Sequence, residues 1–214
     1  MDYKQACFNM VETQLRPWNI MSPQVLNVMG NTPREKFVPE SYQKIAYTET
    51  RTPLGYGQAM MDPAVEGRLL QALELTPNDK VLEVGTGSGY LTSLLSQLSQ
   101  HVTSLEIVPE LSDLAASKLS EATNISFQTA DFFSLKWAGT YDAIVLSGSL
   151  PRIPDTLKRL LSIGGRLFVV IGTGKVMTAQ LMTRTDEDQW IAQKLFETYL
   201  NPLANVPNIE KFQF

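Results

Sequence analysis

Residues 81–90 read VLEVGTGSGY. Val81, Leu82 and Val84 make a short apolar strand that runs into Gly85, Thr86, Gly87, Ser88 and Gly89. Directly behind, Leu91, Leu94, Leu95 and Leu98 recur at i, i+3, i+4 and i+7, the spacing of one helical face. Glycine is needed where a chain turns sharply off a strand and where a ligand must lie on the backbone. The helix start behind such a turn offers unpaired N–H groups to an anion. Strand, glycine turn and helix in that order are the first step of a βαβ unit.

The alternation continues toward the C-terminus. HVTSLEI (101–107), NISFQTA (124–130), YDAIVLSG (141–148) and GGRLFVVIG (164–172) are predicted strands, with PELSDLAASKLSEA (109–122) and IPDTLKRLLS (153–162) as helices between them. AQLMTRT (179–185) and WIAQKLFETYL (190–200) resemble a closing hairpin. Strands alternating with helices of about ten to fifteen residues give an α/β, Rossmann-like, doubly wound and mostly parallel sheet with helices on both faces.

Toward the N-terminus the pattern loosens. Ala6, Met10, Val11 and Leu15 suggest a helix over 2–15, and Ser22-Pro23, a cap followed by proline, opens a second that ends at Gly30. Residues 32–57 carry little periodicity and are expected to be irregular with short helical turns. Asp62-Pro63 repeats the cap-then-proline signal, and Val65, Leu69, Leu70 and Leu73 mark the next helical face. Two units follow: a helical and loop-rich segment, 1–61, and a core, 62–214.

Composition excludes several function classes. The net charge is −4, and the basic residues are scattered, which argues against nucleic acid or an anionic membrane as partner. No apolar run reaches the roughly eighteen residues of a membrane helix. The start MDYKQACF has no signal-peptide pattern, so the cytoplasm is the expected compartment. With one cysteine, Cys7, and one histidine, His101, in a strand, no metal centre is expected.

The loop itself separates cofactor classes. A dinucleotide fingerprint asks for G-x-G-x-x-G, but Tyr90 stands where the last glycine belongs. The glycines read G-x-G-x-G behind Glu83, and acidic neighbours suit a cationic ligand better than a diphosphate. S-adenosylmethionine carries a sulfonium, an ammonium and a carboxylate and no phosphate. Glu106, at the end of the next strand and followed by Ile107, is placed to accept both ribose hydroxyls. Asp131, after the third strand, is placed to accept from an adenine amino group, with Phe132 against the ring. Read singly, Glu106 is also a strand end and Asp131 a cap.

EVGTGSGY, the LE of SLEIVPEL, Ala130-Asp131 and DAIVLSGSLPRIPDTL resemble a class I S-adenosylmethionine-dependent methyltransferase. PREKFVP followed by AY and PLGYGQ resembles the protein-L-isoaspartate O-methyltransferase branch of that class. The resemblance implies a seven-stranded sheet, an acceptor cleft built partly by the N-terminal segment, and methylation of isoaspartyl carboxylates in damaged proteins or peptides. The family continues after G-Q with Thr-Ile-Ser, whose hydroxyls lie at the acceptor site; here Gly57 and Gln58 lead into Ala59, Met60 and Met61. Met61 therefore occupies the position of the family serine, and weak isoaspartyl activity is expected. Asp62 is either a helix cap or a cleft carboxylate acting as base or counter-charge. The methionines also suit a role as apolar gap-fillers. A neutral or cationic acceptor, or binding of the cofactor without catalysis, are the alternatives.

Overall fold

A computed structural model of the chain describes residues 1–207. Helix α1 (Tyr3–Met10) starts at Asp2, whose carboxylate accepts from Gln5 N, and loosens into a π-helical turn over Val11–Leu15. Helix α2 (Pro23–Asn31) starts at Ser22, whose hydroxyl accepts from Val25 N. Tight 3-10 turns follow at Arg34–Lys36 and Glu40–Ile45. The segment expected to be irregular also holds a small antiparallel hairpin, β1 (Pro53–Gly55) with β2 (Gln58–Ala59), and Tyr56 lies exposed in its turn. Helix α3 (Pro63–Leu73) then leads to the sheet.

The sheet comprises β3 (Lys80–Val84), β4 (His101–Glu106), β5 (Ile125–Thr129), β6 (Tyr141–Leu150), β7 (Leu161–Ile171), β8 (Met177–Asp186) and β9 (Gln189–Thr198), in the order β5-β4-β3-β6-β7-β8-β9. Strands β3 to β7 pair in parallel, and the β8–β9 hairpin closes the far edge antiparallel. Helices α4 (Tyr90–Leu98), α5 (Pro109–Lys118) and α6 (Asp155–Arg159) connect the parallel strands. Alternate strand residues face opposite layers: Val81, Val102, Val145 and Phe168 pack with α3, α4 and the N-terminal helices, while Leu82, Leu105, Ile144 and Leu167 pack on the side of α6. The first of these cores runs from Cys7 to Leu200.

Helix α6 is half its expected length. Leu157, Leu160 and Leu161 have helical spacing and are all buried, but Leu161 already pairs with Tyr141 as the first residue of β7. A leucine run buried by either element carries no signal of where one gives way to the other. Among the described residues, no helix is long and apolar enough to cross a membrane.

Candidate functional site

The chain passes from β3 to β4 and β5 on one side, then crosses to β6 on the other. A crevice opens at the carboxyl ends of the strands where the order reverses. A cleft of about 660 Å³ lies there. Gly85 and Gly87 form its floor with φ of 97° and 54°. A side chain on Gly85 would come within 3.1 Å of Ser147 Cβ, and one on Gly87 within 3.2 Å of Leu54 Cδ1, so these positions keep the floor open. Gly89 has a different job: it lies against Ala115 of α5 and lines no part of the cleft.

Glu106 ends β4 inside the cleft, only 5% exposed. One carboxylate oxygen accepts from Gly87 N at 2.8 Å and the other from Ile107 N and Val108 N at 3.0 Å each. A carboxylate has about four acceptor sites, so capacity remains for a ligand. Ile107 and Phe132 line the cleft beside it. Asp131 also lines it, and it caps the short turn Phe132–Ser134 by accepting from Phe133 N at 2.9 Å, while Asn205 Nδ2 donates to its other oxygen at 2.9 Å. No lysine or arginine is among the residues lining the cleft. It therefore offers carboxylates, backbone N–H groups and apolar faces, and no cationic side chain to neutralise a diphosphate.

Glu83 does not join them. It is fully buried behind the loop, where one carboxyl oxygen accepts from Thr92 Oγ1 at 2.5 Å and Ser104 Oγ at 2.6 Å. Burial pushes its pKa up to about 8, although both hydroxyls pull it down. Its other oxygen, Oε1, is buried without a hydrogen-bond partner among the described residues, and because β3 turns this side chain toward α4 it lines neither the cleft nor the space beside it. Thr86 and Ser88 are likewise buried, Thr86 in contact with Ser104 Oγ at 2.6 Å.

A second chamber of about 310 Å³ shares Leu54, Ala59, Gly85, Gly87 and Ser147 with the cleft. Met60 and Met61 line it and belong to the main core, so they serve both as gap-fillers and as chamber wall. Gln58 and Ala59 line the cleft; Gly57 lies behind it, its carbonyl accepting from Asn201 Nδ2 at 2.8 Å. Asp62 lines neither space and does not cap α3 with its side chain. Its backbone carbonyl takes Val65 N and Glu66 N, and its carboxylate turns to Arg51 Nε at 3.7 Å. Burial raises the Asp62 pKa, with Arg51 and Arg34 opposing. Both expected roles, cap and cleft base, are thus corrected: Arg51 takes the carboxylate away from each.

Behind the chamber lies a group the sequence did not reveal. Arg34, with no exposed surface, pairs with the Glu66 carboxylate, donates through Nη2 to Met61 O at 2.7 Å, and stacks 4.5 Å over the Tyr90 ring. Glu66 lines the chamber. Burial pushes its pKa up to about 7 despite the arginine. Glu66 is a charge inside the apolar stripe of α3, and that misfit was the available signal. Tyr90, the residue that breaks the dinucleotide pattern, is an aromatic floor against Arg34 and Phe37.

The family model for protein-L-isoaspartate(D-aspartate) O-methyltransferase matches residues 8–207. A protein-L-isoaspartate O-methyltransferase of Protochlamydia amoebophila is 38% identical, the match covering 91% of this chain and 95% of the relative. One of Gloeobacter violaceus is 35% identical over 91% of this chain and 97% of the relative. Among solved structures, a Plasmodium falciparum chain provisionally assigned to the same enzyme and crystallised with S-adenosyl-L-homocysteine superposes with a TM-score of 0.78 at 22% identity, over 95% of this chain and 98% of that one. The order of strands about a glycine-floored crevice and the match along nearly the whole chain lead to one conclusion: this chain belongs to the protein-L-isoaspartate(D-aspartate) O-methyltransferase family.

Proposed function

We propose that the protein is an S-adenosylmethionine-dependent methyltransferase acting on the carboxylate of isoaspartyl residues in damaged proteins and peptides, in the cytoplasm. The observation that carries this reading is the cleft at the strand switch, with Glu106 bonded to the glycine loop and a side chamber opening over the same loop. In it Glu106 takes the ribose hydroxyls, and Asp131, Ile107 and Phe132 take the adenine. Gly85 and Gly87 let the methionine moiety lie on the backbone. Bound there, the cofactor would supply an electrophilic methyl group on sulfur, which the acceptor carboxylate would receive as its methyl ester, with S-adenosylhomocysteine as the other product.

An ionised acceptor needs no base, so the chain's work is to orient the carboxylate and exclude water. Residues 1–61 supply the acceptor wall and residues from 62 onward the cofactor core. With Ala59 and Met61 at the positions of the family hydroxyls, turnover is expected to be low.

Labelled methyl transfer to an isoaspartyl peptide, with the aspartyl peptide as control, tests the reading, alongside calorimetry with S-adenosylhomocysteine. Methylation of the isoaspartyl peptide alone is expected. Binding without transfer to it would replace the acceptor, and failure to bind would remove the cofactor.

A further inference from the structure

The chamber lacks the family's two hydroxyls on the strap formed by residues 59–61, yet an anionic acceptor still needs a donor. Its polar side chains are few: Glu66, Thr86, Ser88 and Ser147. Glu66 is held by Arg34, Thr86 contacts Ser104, and Ser88 Oγ accepts from Tyr90 N. Ser147 makes no side-chain hydrogen bond among the described residues, whereas its neighbour Ser149 donates to Leu200 O at 3.1 Å. Ser147 is also shared by both spaces, beside Gly85 on the floor between them.

The backbone explains this placement. β6 pairs with β7 at Val145↔Phe168 and again at Ser149↔Val170, so four positions of β6 run against two of β7. The extra residues bulge out of the ladder, and such bulges re-aim side chains next to sites. Ser147 sits in the middle of this bulge, half-buried, at the mouth between cleft and chamber.

We propose that Ser147 is the hydroxyl donor that orients the acceptor carboxylate, acting from the floor of the chamber that Ala59 and Met61 also line. The assignment rests on the isoaspartyl reading above. A hydroxyl is suited to this role because it donates one hydrogen bond to an anion and leaves the attacking oxygen's other lone pair directed at the methyl carbon. It takes up no proton.

The test compares the wild type with Ser147→Ala, Ser147→Thr and the double variant Ser147→Ala with Met61→Ser. Three quantities are read: kcat/KM for an isoaspartyl peptide, affinity for that peptide with S-adenosylhomocysteine present, and affinity for S-adenosylhomocysteine alone. Loss of the hydroxyl should lower kcat/KM and peptide affinity about tenfold while S-adenosylhomocysteine affinity stays within about twofold. Threonine should restore most of the loss, and Met61→Ser should recover part of it by returning a hydroxyl to the same chamber. Wild-type turnover and peptide affinity in Ser147→Ala would overturn the assignment, as would an equal fall in S-adenosylhomocysteine affinity, which would make the hydroxyl a cofactor contact. A wild type that binds S-adenosylhomocysteine but never methylates the isoaspartyl peptide would instead bring down the functional reading, and this assignment with it.

Discussion

The cleft at the strand ends and the methionine-lined chamber share a floor, Gly85 and Gly87, but are built in opposite ways. In the cleft the groups facing a ligand are backbone N–H groups and carboxylates fixed at strand ends by the sheet. In the chamber they are side chains from separate segments, Leu54, Met61 and Glu66, Leu91 and Ser147, and Arg34, paired with Glu66, holds the Met61 carbonyl. The first arrangement concentrates its side-chain dependence in Glu106, which holds three backbone N–H groups of the loop and strand end. The second concentrates stability in a few buried polar contacts.

The contrast is broken most directly at Arg34. Arg34→Met leaves the Glu66 carboxylate buried without its partner, a loss on the order of 3–5 kcal/mol in urea denaturation at pH 8. At pH 5 the loss should shrink, because Glu66, with its pKa already pushed up to about 7, then takes a proton. Replacing both partners by methionine should recover most of the stability. Equal losses for the single and double variants would mean that the pair itself, and not the stranded charge, holds the wall.

On the cleft side, Glu106→Ala should cost roughly 2–3 kcal/mol of S-adenosylhomocysteine binding, more than tenfold by calorimetry. Three backbone N–H groups lose their acceptor as well as the ligand. Unchanged affinity would show that the loop backbone alone holds the cofactor.

Glu83 sharpens the comparison through pH. Its folded pKa of about 8 lies above the ordinary 4.5, so between those values the folded chain holds a proton that the unfolded chain has released. Stability is then fully present below pH 4.5 and lost as pH rises through about 8, and Glu66 contributes with the same sign. A decline on the order of 2 kcal/mol between pH 5 and 8 is expected, and Glu83→Gln should flatten most of it. A rising melting temperature across that range would contradict the burial.

The smallest effect belongs to Asp62. Its carboxylate caps nothing and meets Arg51 at 3.7 Å on a partly exposed surface. Asp62→Asn should change stability by less than about 0.5 kcal/mol in thermal melts.

These differences also explain what the sequence disclosed. The strand ends carrying Gly85, Glu106 and Asp131 follow from periodicity, because a parallel sheet puts every carboxyl end on one side. Glu83 shows the limit: neighbours on a strand face opposite layers, and the loop sequence alone does not say which one faces the ligand. Arg34, Glu66 and Ser147 have no common local pattern; tertiary packing brings Glu66 and Ser147 to one chamber and sets Arg34 behind it. Asp62-Pro63 is a sound helix start, and α3 does begin there, but the identity of the capping group depends on Arg51, eleven positions earlier in the chain.

Gly67 carries a consequence for how the N-terminal segment can be exchanged. It lies in α3, where a side-chain carbon would come within 2.7 Å of Ile20 Cδ1 and 3.3 Å of Met29 Sδ. The N-terminal segment is thus keyed into the helix that also presents Glu66. Exchange of residues 1–61 with a relative transfers cleanly only where the incoming segment leaves the same shape over position 67. The fit of the N-terminal segment is therefore fixed together with the helix it packs on.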